Sequence, residues 1–286
     1  MPRLQSIKLA ALNLKIHPHR PEQYIELIRD AFALRQPVKS QGDHRLIMQS
    51  FSRKDDSINN FHFGSIARFT EIDLNAPWFN SDDLEEAENV TEEIKIPEEL
   101  KPNYYQFHFA LYPKKHLIIF ENYYYGKVLT PNTAQKYFDF LLAHQKIEKK
   151  YGKVDVDLVA DTNAIEQIFS LHTIKNVHMK INKPNADDFG EYDEHLFKRM
   201  KEQNTRRVEL DYVAEKGVSF RPDKITLETA KVAANNGEVI AVGRDVEGKS
   251  ETRSSTSFPR MLVHKFDPAL ITITEAFKKA VHSFVG

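Results

Sequence analysis

The chain has 286 residues, with 40 Lys+Arg against 41 Asp+Glu, 41% hydrophobic and 28% charged residues, and no cysteine. The missing cysteine excludes disulfides, thiolate metal ligands, iron–sulfur clusters and thiol nucleophiles, and points to a cytoplasmic chain without a redox role. The formal net charge of -1 excludes a uniformly basic surface, so contact with nucleic acid must come from local segregation of charge.

In chain order, alternation and helical spacing trade places repeatedly, which predicts an α+β fold. Ile7, Leu9 and Ala11 against Lys8 and Asn13 read as a strand. After Pro18 and Pro21, the residues Tyr24, Leu27, Ile28, Ala31 and Phe32 line one face of a helix. Strands follow at 44–52, 61–73, 104–112 and 116–122, the last two joined by Pro113-Lys114-Lys115 as a hairpin. The stretch 80–103 has no period and is dense in Asp and Glu, as a solvated acidic loop would be. Thr130 caps and Pro131 opens a helix predicted over 131–150, with Gly152 ending it. The second half alternates strand 154–160, helix 163–171, strand 174–182, helix 191–203, strand 205–214 and helix 224–235. A hairpin over 238–255, a strand 261–266 and a closing helix from Pro268 complete it. The expected architecture is mixed, with largely antiparallel sheets, helices packed on one face, and two intimately associated halves, 1–150 and 151–286. The longest clean apolar run, Leu117-Ile118-Ile119-Phe120, is far too short to span a membrane, and the N-terminal stretch lacks the apolar core of a signal peptide.

The segment Gly243-Arg244-Asp245-Val246-Glu247-Gly248-Lys249-Ser250 satisfies the P-loop pattern letter for letter, which makes Gly243, Gly248, Lys249 and Ser250 candidates for holding a nucleoside triphosphate. A P-loop requires a helix after its Ser, and residues 251–257 have no helical apolar stripe; a hairpin turn with Gly248 at positive φ explains the same letters. Asp223 with Glu247 and Lys249 follows the order of a magnesium nuclease core, in which two carboxylates hold the metal and Lys steadies water. Asp223 is equally placed to cap the helix starting at Lys224. His17-Pro18-His19 puts two imidazoles close together with no carboxylate spaced to join them. No metal or other cofactor is called for by these patterns.

Asp155/Asp157 and Glu209/Asp211 each share one face of a strand, and the apolar alternate residues predict that solvent takes the acids. Basic residues segregate more clearly. Lys198, Arg199, Lys201, Arg206 and Arg207 crowd one helix end and the next strand, and Lys149, Lys150 and Lys153 end an earlier helix. Helix dipoles favour cations at C-termini in any case. If the two ends meet in space they form a phosphate-binding stripe, with DNA as the favoured partner, and the tyrosines at 104, 105 and 123–125 could stack bases.

The segments 9–32, 69–80, 96–121, 129–138 and 202–217 resemble an uncharacterised family of bacterial and prophage proteins. The strand–hairpin–helix ending, with its GRDVEGKS turn, is similar in layout to the phage-exclusion protein RexA and to the KwaB component of Kiwa antiphage defence. These resemblances imply a cytoplasmic, homodimeric antiviral defence or exclusion protein that contacts DNA; together with the basic cluster at 198–207 they lead to the expectation of a non-enzymatic effector or sensor, with a second defence-system protein among its expected partners. They carry over no active-site residue.

Overall fold

A computed structural model describes residues 4–17, 20–52, 61–87, 95–183 and 191–285, the side chains of 191–193 aside. Pro18 and His19, and part of the acidic 80–103 stretch, lie outside the described residues. The first strand, β1 (Gln5–Lys15), is the axis of the larger sheet. Its odd residues Ile7, Leu9 and Ala11 face one core and its even residues Ala10, Leu12 and Leu14 face another. Burial on both faces explains why most of the strand is apolar and why its alternation is weak.

Around β1 the sheet runs through β2 (Val38–Lys39), β3 (His44–Phe51), β4 (His62–Thr70), β7 (Tyr105–Tyr112) and β8 (Leu117–Tyr124), with β9 (Lys127–Val128) on β8. A small separate ribbon, β5 (Trp78–Asn80) with β6 (Glu85–Ala87), sits in the 71–104 connection. On the other edge of β1, two strands from the second half lie end to end. These are β10 (Asp155–Leu158), opposite Leu12–Lys15, and β15 (Leu262–Phe266), opposite Gln5–Leu9. All named pairings are antiparallel.

Three helices cover one face of this sheet. The first, α1 (Pro21–Ala33), buries Tyr24, Leu27, Ile28 and Ala31. The predicted helix over 131–150 is two helices, α2 (Pro131–Leu142) and α3 (Gln145–Tyr151). The break falls at His144, whose backbone is extended and whose ring accepts the Lys146 amide as an N-cap. Thr130 caps α2 as expected, accepting the Thr133 amide at 3.2 Å. The opposite face is covered by α7 (Ile273–Val285), which lays Ala276, Phe277, Ala280, Val281 and Phe284 on Ile7, Leu9 and Ala11. This helix starts five residues later than Pro268 because 267–270 form a turn held by the Asp267 carbonyl, and the β-branched run 271–274 is slow to enter a helix.

The second sheet has the order β12 (Arg207–Val213), β11 (Thr173–Asn182), β13 (Gly237–Arg244), β14 (Ser250–Ser254). Val177, Met179, Ile181, Val239 and Ala241 form its inner face, covered by α4 (Ala164–Phe169), α5 (Glu191–Glu202) and α6 (Lys224–Asn236). Its other face, with Asn176, His178 and Lys180, carries polar pairs such as His178 Nδ1 to Asp211 Oδ1 at 2.7 Å. The α+β character and antiparallel sheets follow the sequence expectation. Among the described residues no helix is long and apolar enough to cross a membrane.

Candidate nucleic-acid interface

The strand β10 brings the acids Asp155 and Asp157 to the place where the two sheets meet. Contrary to the expectation that solvent takes them, both are buried, at 7% and 4% exposure. The reason is that each has a cation that sequence spacing could not reveal. Lys15, fully buried at the end of β1, donates to Asp157 Oδ2 at 2.7 Å. Asn182 at the end of β11 donates to both oxygens of Asp157 at 3.1 Å, and Arg207 Nε donates to Asn182 Oδ1 at 3.0 Å. Arg206 Nη2 lies 2.6 and 2.7 Å from the two oxygens of Asp155. A charged chain therefore stitches the first sheet to the second. Glu209 and Asp211, by contrast, are exposed as expected.

Above this network opens a cleft of about 280 Å³ lined by His17, Lys153, Lys183, Asn204, Thr205 and Arg206. Local structure delivers each cation. Gly152, at φ +72, ends α3 and turns the chain so that Lys153 enters the cleft. At the end of α5, Asn204 adopts φ +52, Thr205 N donates to Met200 O and Asn204 N to Lys201 O. This Schellman closure aims Thr205 and Arg206 at the same opening. His17 Nε2 bonds Lys183 O at 3.1 Å, which pins the edge of the first lobe to the second. Neither Lys153 nor Lys183 has a carboxylate at ion-pair distance among the described residues.

The two basic clusters thus meet, but through fewer residues than the sequence groups together. Lys153 and Arg206 share the cleft. Lys198, Arg199 and Lys201 are exposed on α5 just before it, and Lys149 is exposed on α3. Lys150 is tied to α1, with Asp30 at 2.7 Å and Glu26 at 3.7 Å; its hydrogen bonds to Asp30 and Tyr151 raise its pKa. Arg207 is held by Asn182 and by Glu209 at 3.5 Å. Lys183 and His17 escape a sequence search for anion ligands, since neither belongs to a basic run. Each sits just past a strand end, and His17 stands out in the sequence only through the His17-Pro18-His19 pattern, which suggests a metal and not an anion.

Asp139 on α2 marks the acidic rim of this region. Although the residue as a whole is exposed, partial desolvation and then the nearby charge of Asp157 push its carboxyl up from 3.8 to about 6, with Lys180 and Lys153 opposing. Between those two values the folded chain holds a proton that the unfolded chain has released, so stability falls as pH rises through this window. Asp139→Asn is expected to stabilise the protein against urea at pH 7.5 and to leave it unchanged below about pH 4. A stabilisation equal at both pH values would contradict this placement.

The other sequence candidates stand apart from the cleft. Asp223 caps α6, its carboxylate accepting the Thr226 amide at 2.7 Å, which lowers its pKa. Glu247 pairs with Lys249 at 2.6 Å within the hairpin turn, so the acids and Lys of the nuclease pattern are each used locally. Among the described residues no group of three or more His, Asp or Glu is arranged to hold a metal ion. The P-loop letters fall on a hairpin: Gly243 lies in β13, Gly248 takes φ +80 in the turn, and Ser250 opens the strand β14 where a P-loop needs a helix. Asp245 Oδ1 accepts the amides of Glu247 and Lys249, so the turn is closed on itself. The tyrosines gather at one end of β7 and β8, where Tyr105 OH lies 3.4 Å from Tyr124 O and the rings of Tyr124 and Tyr125 are 6.0 Å apart, and none of them lines the cleft. Tyr105 bonds Glu121 Oε1 at 3.2 Å and Tyr124 bonds Gln5, while Tyr104 and Tyr125 are exposed.

The profile of a domain of unknown function, DUF4747, matches residues 5–282, which takes in both sheets and, but for the last turn of α7, all seven described helices. The chain belongs to the DUF4747 family. Because the matched span takes in β1, β10 and β15, the cleft between the sheets lies within the family's domain. No curated protein matches the chain.

Proposed function

We propose that this DUF4747 protein binds nucleic acid through its phosphate backbone, using the cleft between the two sheets, as a non-enzymatic effector or sensor. One observation carries the reading: Lys153, Lys183 and Arg206 converge on a single opening, while the acids beneath it are neutralised by Lys15 and Arg206 itself. Cations held this way present charge to an incoming phosphate, with Asp139 on the rim the one neighbouring exposed acid that the electrostatics of the site bring into play. Arg suits the bidentate grip and Lys the simple charge. The exposed Lys198, Arg199 and Lys201 extend the same sign along α5. The likeness in layout to phage-exclusion and Kiwa defence proteins supplies the setting, antiphage defence in the cytoplasm, with DNA as the favoured ligand and a homodimer as the favoured assembly.

Fluorescence anisotropy with labelled duplex and single-stranded oligonucleotides tests the reading. Binding that is tightest at low salt and weakens steeply as salt rises is expected, because phosphate contacts release counterions. Absence of binding at the lowest salt removes the proposal.

A further inference from the structure

A second cleft, of about 600 Å³, opens at the far end of β11 from the first. Its wall is fixed by the backbone. Ala214 N donates to Lys175 O at 2.7 Å, Phe220 N to Ile174 O at 2.8 Å, and Ile174 N to Ser219 Oγ at 2.9 Å, so the loop after β12 is laced to β11. On the other side, β11 shifts register against β13 between Ile174 and Asn176. There Gly243 approaches so closely that a Cβ would lie 1.9 Å from Thr173 O. This approach needs glycine, and it sets Arg244 beside Thr173 at the cleft mouth.

Three cations, Lys175, Lys216 and Arg244, line this opening with Thr173, Asn176 and Ser219, and only Glu215 offsets them. None of the three has an ion pair among the described residues. All three are exposed on an open cleft, and like charges gathered there without carboxylate partners give a local positive potential that favours an incoming anion. The volume exceeds what inorganic phosphate requires and falls within the roughly 300–1,000 Å³ of small-molecule sites. Ala214 and Val218 supply an apolar patch, and the hydroxyl and amide groups supply directional contacts.

We propose that this cleft binds a nucleotide-sized organic polyphosphate, its phosphates held by Arg244, Lys175 and Lys216. Arg244 belongs to the segment with the P-loop letters, yet the geometry uses side chains from β13, β11 and the loop after β12 in place of backbone amides at a helix start. The site is independent of the nucleic-acid cleft, which contains none of these residues.

Isothermal titration calorimetry of the full chain with ATP, pyrophosphate and adenosine, in about 50 mM salt where charge pairing is least screened, is the test. ATP is expected to bind, pyrophosphate more weakly, and adenosine not at all. Arg244→Ala should weaken ATP at least about tenfold and Lys216→Ala severalfold, with unchanged thermal melts. Lys216 lies on the connecting loop, so its variant keeps the test informative if the Arg244 variant misfolds. Lys153→Ala should leave ATP binding untouched. No ATP binding, binding unaffected in both cleft variants, or equal affinity for pyrophosphate would each overturn the proposal. Displacement of ATP by duplex DNA would also overturn it, by making this cleft part of the nucleic-acid surface.

Discussion

Lys15→Met is expected to destabilise the protein by about 3–5 kcal/mol, lowering its melting temperature by on the order of 10 °C. The substitution keeps the length of the side chain but leaves Asp157, 4% exposed, without its cation at the junction of the sheets. Asn182 can still donate to the carboxylate, yet an amide does not neutralise a buried charge. The double variant Lys15→Met/Asp157→Leu should recover most of the loss, because replacing both members of a buried pair by apolar groups of similar volume is often close to neutral. Chemical denaturation of the three proteins measures the difference. A single variant as stable as the parent would mean that the pair is open to water, and would remove the structural basis of the cleft above it.

The second large effect concerns binding. Lys153→Ala/Lys183→Ala removes two cations that have no carboxylate partner among the described residues, so folding stability should change little while DNA affinity falls at least about tenfold, on the order of 1.4 kcal/mol. The slope of log affinity against log salt should drop by about 2, one for each phosphate no longer neutralised. Arg206→Ala should show both effects, since its guanidinium also neutralises Asp155. Lys175→Ala, at the other end of β11, serves as the control and should leave DNA binding unchanged. An unaltered salt slope in the double variant would separate the cleft from any role in holding nucleic acid.

Much of this fold is legible from local pattern. The apolar stripe of α1, the Thr130 cap and Pro131 of α2, the hairpin at Gly248, and the alternation of strand and helix after residue 154 all depend on neighbours a few positions apart. What escapes is set by distant partners. Nothing in residues 155–157 predicts burial of two acids, because Lys15 lies 142 positions from Asp157 and Arg206 lies 51 from Asp155. The sharing of one β1 edge by β10 and β15, and the return of α7 to the first sheet, are likewise invisible to periodicity. The basic clusters are readable as composition, but composition treats Lys150 and Lys153 alike. The fold ties one to Asp30 and turns the other into the cleft.

Hydrogen–deuterium exchange of the full chain, with and without duplex DNA at low salt, tests most directly whether phosphate enters between the sheets. Protection is expected at residues 152–154, at Lys183 and at 204–206, with little change around 173–176, 214–219 and Arg244. Protection confined to the exposed flank of α5, or to the second cleft, would contradict entry between the sheets.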